Sequence, residues 1–293
     1  INGNAISISH AGATVTGASG YTIEYKTEDG NWTTEAPTVT NVADGHVKVS
    51  FRATKTGYTD LVAEDQYIYI TEQPVTITVK DSEKVYNTPD PGFEGEVTGL
   101  VAPEKDPKGI GEVKYIRTNQ DEGNVGTYKD VLSATYTSND NYHVTINPGT
   151  FKITAAKDDG VELKITGGSK VYDGKPLEVQ RSLLNKLKYA IQNYTIEYTT
   201  DGGKTWSKDV PSVTNVEDGT VTVQAKGIRA NYEDIISNVA TISITPRPVE
   251  ITVKDSSKPF ASEDPAFPWS VTSNNKLVNK EDLGTIASHR IKL

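Results

Sequence analysis

The sequence repeats itself over a long period, and a chain that does so folds as an array of like units. Tyr21-Thr22-Ile23-Glu24-Tyr25 returns as Tyr194-Thr195-Ile196-Glu197-Tyr198, and Pro37 to Val42 returns 174 residues later as Pro211 to Val216 with one Thr-to-Ser exchange. Pro74-Val75 and Ile77 to Asp81 come back as Pro248-Val249 and Ile251 to Asp255. Each long repeat divides again. Lys84-Val85-Tyr86-Asn87 and Lys170-Val171-Tyr172-Asp173-Gly174 open similar stretches 86 residues apart, and Lys258-Pro259-Phe260 stands 88 residues further on. The expected modules are 1–73, 74–156, 157–247 and a partial fourth at 248–293. Ile1-Asn2-Gly3 aligns with Tyr172-Asp173-Gly174, so the first module is expected without its opening strand, and both ends are expected to be internal to a longer protein.

At 293 residues the chain is too long for one compact core and suits several small ones. With no cysteine, disulfides, thiolate metal sites and cysteine nucleophiles are all excluded. Apolar and polar residues alternate in Tyr21 to Tyr25, Val47 to Phe51, Val75 to Val79, His143 to Ile146, Val221 to Val223 and Thr241 to Ile244, the period of a half-buried strand. Asp-Gly pairs at 29–30, 44–45, 201–202 and 218–219 supply tight-turn chemistry between them. Pro-bearing joints at Glu72-Gln73-Pro74 and Pro246-Arg247-Pro248 leave little free linker. The expected fold class is mainly β: an elongated tandem array of small antiparallel β modules, each an Ig-like sandwich or β-grasp-like unit.

Net charge is −9 and unevenly spread. Residues 1–73 carry 4 basic and 9 acidic side chains and 74–156 carry 8 and 12, whereas 157–247 balance at 12 and 12 and 248–293 at 6 and 6. No basic stripe stands ready to neutralise phosphates, which argues against nucleic acid as a partner. No apolar run approaches the ~20 residues of a membrane helix, so membrane insertion is not expected. A monomer is expected.

The openings Lys170 to Gly174 and Lys84 to Asn87 resemble the YDG and related MBG repeat modules of bacterial surface proteins. So do Val125-Gly126-Thr127-Tyr128, the later Asn141-Tyr142 and the closing Phe151-Lys152-Ile153-Thr154. The resemblance implies a Gram-positive, cell-wall-attached adhesin, its stalk or its binding region, located outside the cell. The fourth module departs from it, with Pro259 where Val85 would stand.

No catalytic constellation accompanies these modules. His10 and His46 fall in the first module, His143 in the second and His289 in the fourth, without metal-binding or triad spacing. Asp158-Asp159 and Asp121-Glu122 sit in turn contexts where acids commonly cap the backbone. No enzyme activity, cofactor or metal is therefore expected. The one oxygen-rich loop, Asn119, Asp121, Glu122 and Asn124 around Gly123, could in composition hold Ca²⁺, although it lacks EF-hand spacing.

The copies of the long repeat differ most in one place. Before Tyr21 the first module is Gly-rich, whereas Gln180 to Asn193 has no Gly or Pro and is two residues longer. At helical spacing Leu183, Leu184, Leu187, Ala190 and Ile191 form an apolar stripe about 120° wide, which predicts a short amphipathic helix over 182–192. Arg181, Asn185, Lys188, Tyr189 and Gln192 would then form the opposite face and are the candidate ligand-binding residues. The expected function is non-catalytic binding of a host macromolecule, a protein and by analogy an immunoglobulin, through the third module. The alternatives are a passive adhesin stalk and a glycan- or mucin-binding module using Trp32 and Trp206, for which turn packing is the simpler role.

Overall fold

The computed structural model describes residues 6–7, 15, 19–102, 108–185, 194–266, 268–271 and 278. The chain divides into two compact units, Ile1–Thr154 and Ala155–Leu293, and both are built of strands.

In the first unit, β1 (Ile6–Ser7), β2 (Thr22–Thr27), β3 (Thr38–Val39), β4 (Val47–Thr54) and β5 (Leu61–Ile68) come first. β2, β4 and β5 form an antiparallel meander, and β1 pairs with β3. Alternation decides the inner face: Val49, Phe51 and Ala53 are buried on β4, while Lys48, Ser50 and Arg52 between them are not. Tyr25, fully buried, meets Phe51 edge to face at 5.6 Å, an arrangement favoured by the ring quadrupoles. Between β3 and β4 a 3-10 turn, Val42–Asp44, is closed by Asp44, whose carboxylate accepts from the amides of Thr40 and Asn41 at 2.6 and 2.8 Å. Those two bonds hold the Asp44 carboxyl below its ordinary range.

A second set follows: β6 (Gln73–Val79), β7 (Ser82–Val85), β8 (Gly95–Thr98), β9 (Lys114–Arg117), β10 (Gly126–Thr135), β11 (Tyr142–Asn147) and β12 (Gly149–Thr154). They form a four-stranded sheet, β7-β12-β10-β9, and a three-stranded sheet, β11-β6-β8. Val75, Ile77 and Val79 of one sheet and Leu132, Phe151 and Ile153 of the other close a single core with Ile110. Four residues separate β5 from β6, and Asn141 ties the two strand sets together. Its carbonyl accepts from the Gln73 amide at 2.8 Å, its Oδ1 accepts from the Val42 amide at 2.9 Å, and its Nδ2 donates to Asn41 Oδ1 at 3.0 Å.

The second unit contains β13 (Val161–Thr166), β14 (Gly168–Val171), β15 (Leu177–Glu178), β16 (Gln180–Asn185), β17 (Thr195–Thr199), β18 (Ser212–Val213), β19 (Val221–Ile228), β20 (Ile235–Ile236) and β21 (Ala240–Thr245). The sheet β14-β21-β19-β17, with β20 on β19, encloses Tyr198, Val223, Ala225, Ile242 and Ile244 together with Leu163 and Ile165 of the β13-β16 pair. A last hairpin pairs β22 (Ile251–Val253) with β23 (Trp269–Val271).

Two expectations need correction. The helix over 182–192 is not formed where the chain is described. Residues 182–185 belong to β16, which runs antiparallel to β13 with Leu183 opposite Leu163; residues 186–192 lie outside the described residues. Helical spacing of leucines is a weak signal over so short a stretch, and the unpaired backbone of β13 outweighs it by offering a full ladder to 180–185. The modules are also not purely antiparallel. β6 runs parallel to β11, β7 to β12 and β14 to β21, because the opening segment crosses from one sheet to the other and lies beside the closing strand.

That crossing requires close backbone approach. A Cβ on Gly167, between β13 and β14, would sit 2.0 Å from the Thr241 carbonyl oxygen. Gly167→Ala should therefore destabilise the second unit by about 1–3 kcal/mol. Urea denaturation followed by Trp fluorescence should show that loss, whereas Gly168→Ala, where a Cβ meets nothing within 4 Å, should shift the transition far less.

Candidate functional site

Of the five candidate contact residues, Arg181 and Asn185 are described; Lys188, Tyr189 and Gln192 lie outside the described residues. Arg181 is on β16 opposite Ile165, and Asn185 ends the strand opposite Val161. Strand geometry puts Arg181 on the same side as Leu183, which packs against the core, rather than opposite it. Arg181 is exposed, yet its Nη1 donates to the hydroxyl of buried Tyr198 at 3.2 Å. Arg181 thus ties the rim of the sandwich to its core.

The oxygen-rich loop after β9 is organised by a guanidinium. Arg117 is 3% exposed and stacks over Phe151 at 4.5 Å. Its Nε donates to Asn119 Oδ1 at 2.8 Å, its Nη2 donates to the carbonyls of Asn119 and Glu122, and its Nη1 reaches both oxygens of Asp90 at 3.2 Å. Of the side-chain oxygens that composition alone would offer to Ca²⁺, Asn119 Oδ1 is taken by this internal cation, and Glu122 Oε2 accepts from the Tyr128 hydroxyl at 3.4 Å. Among the described residues no group of three acidic or histidine side chains is placed to hold a metal. Sequence reasoning missed Arg117, although it stands only two positions before Asn119.

Asp90 also accepts from Lys84 Nζ at 2.6 Å. Burial alone would raise its carboxyl, but the hydrogen bonds from Lys84 and Arg117 outweigh that and hold it below the ordinary range.

Elsewhere the surface repeats one device, a cation laid over an aromatic ring. Arg52 lies 4.5 Å from the Trp32 ring centroid and Lys226 lies 4.6 Å from that of Trp206, and each pairs across strands with an acid, Glu24 or Glu197. Trp206 also donates from Nε1 to the Gly203 carbonyl at 3.2 Å, so it packs its own turn. Lys55 sits 5.4 and 5.0 Å from the rings of Tyr21 and Tyr58, and Arg229 sits 5.9 and 3.9 Å from the equivalent Tyr194 and Tyr232. In the third module Asp158 completes the group, accepting from Tyr194 at 2.6 Å and from Arg229 at 2.8 Å. Burial, reinforced by that bond to Asp158, pushes the Tyr194 hydroxyl up to about 12. These are packing and contact devices, with polar and aromatic groups aimed at each other or at solvent. His46 stacks on Tyr69 at 4.2 Å, and His143 Nδ1 lies 3.3 Å from Glu72; His10 and His289 lie outside the described residues.

The strand sets form small β modules, each with its own core. Residues 75–152, the second module, match the MBG domain (YGX type) family, so that stretch is an MBG-type module. No curated protein matches the chain. Among solved structures, the chain is similar to extracellular domains 3–5 of Drosophila OTK at 8% identity, covering 76% of this chain and 85% of that one, with a TM-score of 0.30. Drosophila N-cadherin EC1-3 matches at 10% identity over 77% and 89% of the two chains, with a TM-score of 0.22. Bacteroides ovatus SGBP-B, solved with a mixed-linkage heptasaccharide, matches at 12% identity over 89% and 69%, with a TM-score of 0.19. These three likenesses are too distant to bear on function. Among the described residues no helix is long and apolar enough to cross a membrane.

Arg117→Ala removes the buried centre of the loop and leaves the Asn119 and Glu122 carbonyls without their donor, so it should cost the second module about 1–3 kcal/mol in chemical denaturation. The Asp90 carboxyl, lowered in the folded state, contributes stability above the unfolded value near 3.9, and that contribution is lost as pH falls through the lower folded value. Asp90→Asn should therefore lower stability at pH 7 and flatten the acid limb below about pH 4 in a pH series of urea midpoints.

Proposed function

We propose that the chain is a non-catalytic part of a bacterial surface adhesin, extracellular and attached to the cell wall, that binds a host macromolecule through its third module. The match of residues 75–152 to the MBG domain carries the reading. Strand sets with separate cores, joined by short segments, suit a protein that presents surfaces for contact. The third module is the favoured contact because the stretch from Gln180 to Asn193 is where the long repeats differ most in length, by two residues. Arg181 and Asn185, on β16, are offered together with Lys188, Tyr189 and Gln192, which follow in sequence. A host protein is the proposed ligand class, with immunoglobulin the first to assay.

A second reading, a passive stalk, draws on the Asn141 tie between β6, β11 and the Val42–Asp44 turn, which suits a spacer that must hold its direction.

Pulldown from serum and from mucus with the whole chain tests both. The expected outcome is capture of one host protein, reduced about tenfold or more when Lys188, Tyr189 and Gln192 are all changed to Ala. Undiminished capture by that variant moves the site elsewhere. Capture of nothing leaves the stalk, and selective capture of mucin glycans overturns the protein reading.

A further inference from the structure

The first unit holds two cores that share no residue, one around Tyr25, Val39 and Val49 and the other around Ile77, Ile110 and Leu132. A line of asparagines runs between them. Asn139 Nδ2 donates to the carbonyl of Gly109, the residue before buried Ile110, at 2.7 Å. Asn139 Oδ1 accepts from the Asn141 amide at 3.0 Å, which fixes the point from which the Asn141 side chain starts. That side chain then reaches the first module, where Oδ1 accepts from the Val42 amide at 2.9 Å and Nδ2 donates to Asn41 Oδ1 at 3.0 Å. Val42 packs against the first core, and Asn41 stands two residues after buried Val39.

The turn that receives these bonds closes by its own means. Asp44 accepts from the Thr40 and Asn41 amides, and in the third module Asp218 accepts from those of Thr214 and Asn215, both at 2.7 Å. The two turns share one entry geometry, with φ and ψ of −124° and 159° at Asn41 and of −114° and 159° at Asn215. What Asn141 adds is a bond from outside, to an amide that the first turn of a helix leaves without an internal partner. On its own side Asn141 is gripped by backbone as well. Its carbonyl accepts from the Gln73 amide at 2.8 Å, and the next amide, of buried Tyr142, donates to the Asn139 carbonyl at 2.9 Å.

We propose that Asn139, Asn141 and Asn41 form a relay that couples the first and second modules, fixing their mutual orientation and making the stability of the 41–45 turn depend on the loop at Gly109. Hydrogen bonds of 2.7–3.0 Å tolerate little displacement, so a bend in the four residues between β5 and β6 breaks both bonds to the turn together. Asn139 and Asn141 are half-buried, where water is a poorer substitute for the lost partners. Coupling of this kind is reciprocal: loosening the loop of the second module loosens the turn of the first, and the reverse. The relay acts in the same way whether the chain binds a ligand or only spaces one.

The test is residual dipolar couplings and amide hydrogen exchange on the whole isotope-labelled chain. In the unchanged chain the couplings of β2–β4 and of β6–β12 should fit a single alignment. Asn141→Ala should require two alignments and speed exchange of the Val42 amide about threefold to tenfold, while the amides of β10 stay within about twofold. Asn141→Asp, which keeps the acceptor for Val42 and loses the donor to Asn41, should fall between. Asn139→Ala touches nothing in the first module, yet it should speed the Val42 amide about threefold or more through the relay. Two alignments in the unchanged chain overturn the proposal, as does an Asn141→Ala chain that keeps a single one. Val42 exchange unmoved by Asn139→Ala overturns the relay, and loss of protection throughout β10 in Asn141→Ala overturns it by making Asn141 part of the second module's own fold.

Discussion

A β module of this size without a disulfide must be held by two sheets packed on one row of side chains, and everything else in the chain depends on that row. Val49 in the first module, Leu132 in the second and Val223 in the third are each 0% exposed and sit on the strand that pairs on both sides. At about 25 cal/mol per Å² of apolar surface removed from water, a few such residues per module outweigh any single surface contact. Loops and rims are free to vary because they contribute so little to this sum. The cation-over-ring pairs show the consequence: Arg52 becomes Lys226 and Lys55 becomes Arg229, and the stacking survives.

The strands were legible because alternation needs no knowledge of partners. β2, β4, β6, β11, β19 and β21 lie where apolar and polar residues take turns. Which strand lies beside which was not legible, since alternation names the buried face and says nothing of the neighbour. The parallel pairs β6 with β11 and β14 with β21 are therefore visible only in the folded chain. At β16 the pattern misled for a related reason: two adjacent leucines satisfy a helical stripe and a strand equally, and the ladder with β13 decides between them.

The contact residues were less legible than the fold. A loop rich in oxygens reads the same in sequence whatever organises it, and the reach of Arg117 from β9 to Asn119 Oδ1 and to the Asn119 and Glu122 carbonyls is seen only in the folded chain. Arg181, a candidate contact by its sequence, donates to the Tyr198 hydroxyl, a contact 17 residues away in sequence that no local pattern announces. The two copies of the long repeat also differ at Tyr67 and Tyr69, where the third module has Thr241 and Ser243, so the same framework carries an aromatic surface in one copy and a hydroxyl surface in the other.

The second module is entered through β6 and left through β12, and each of the opening strands β6 and β7 lies parallel to a closing strand, β11 or β12. Tension between the module's two ends draws β7 and β12 past each other lengthwise. Every hydrogen bond of that ladder is then strained at once, instead of opening one after another as in a peeled hairpin. A module wired in this way resists stretching through the direction of its pairing, without a covalent crosslink.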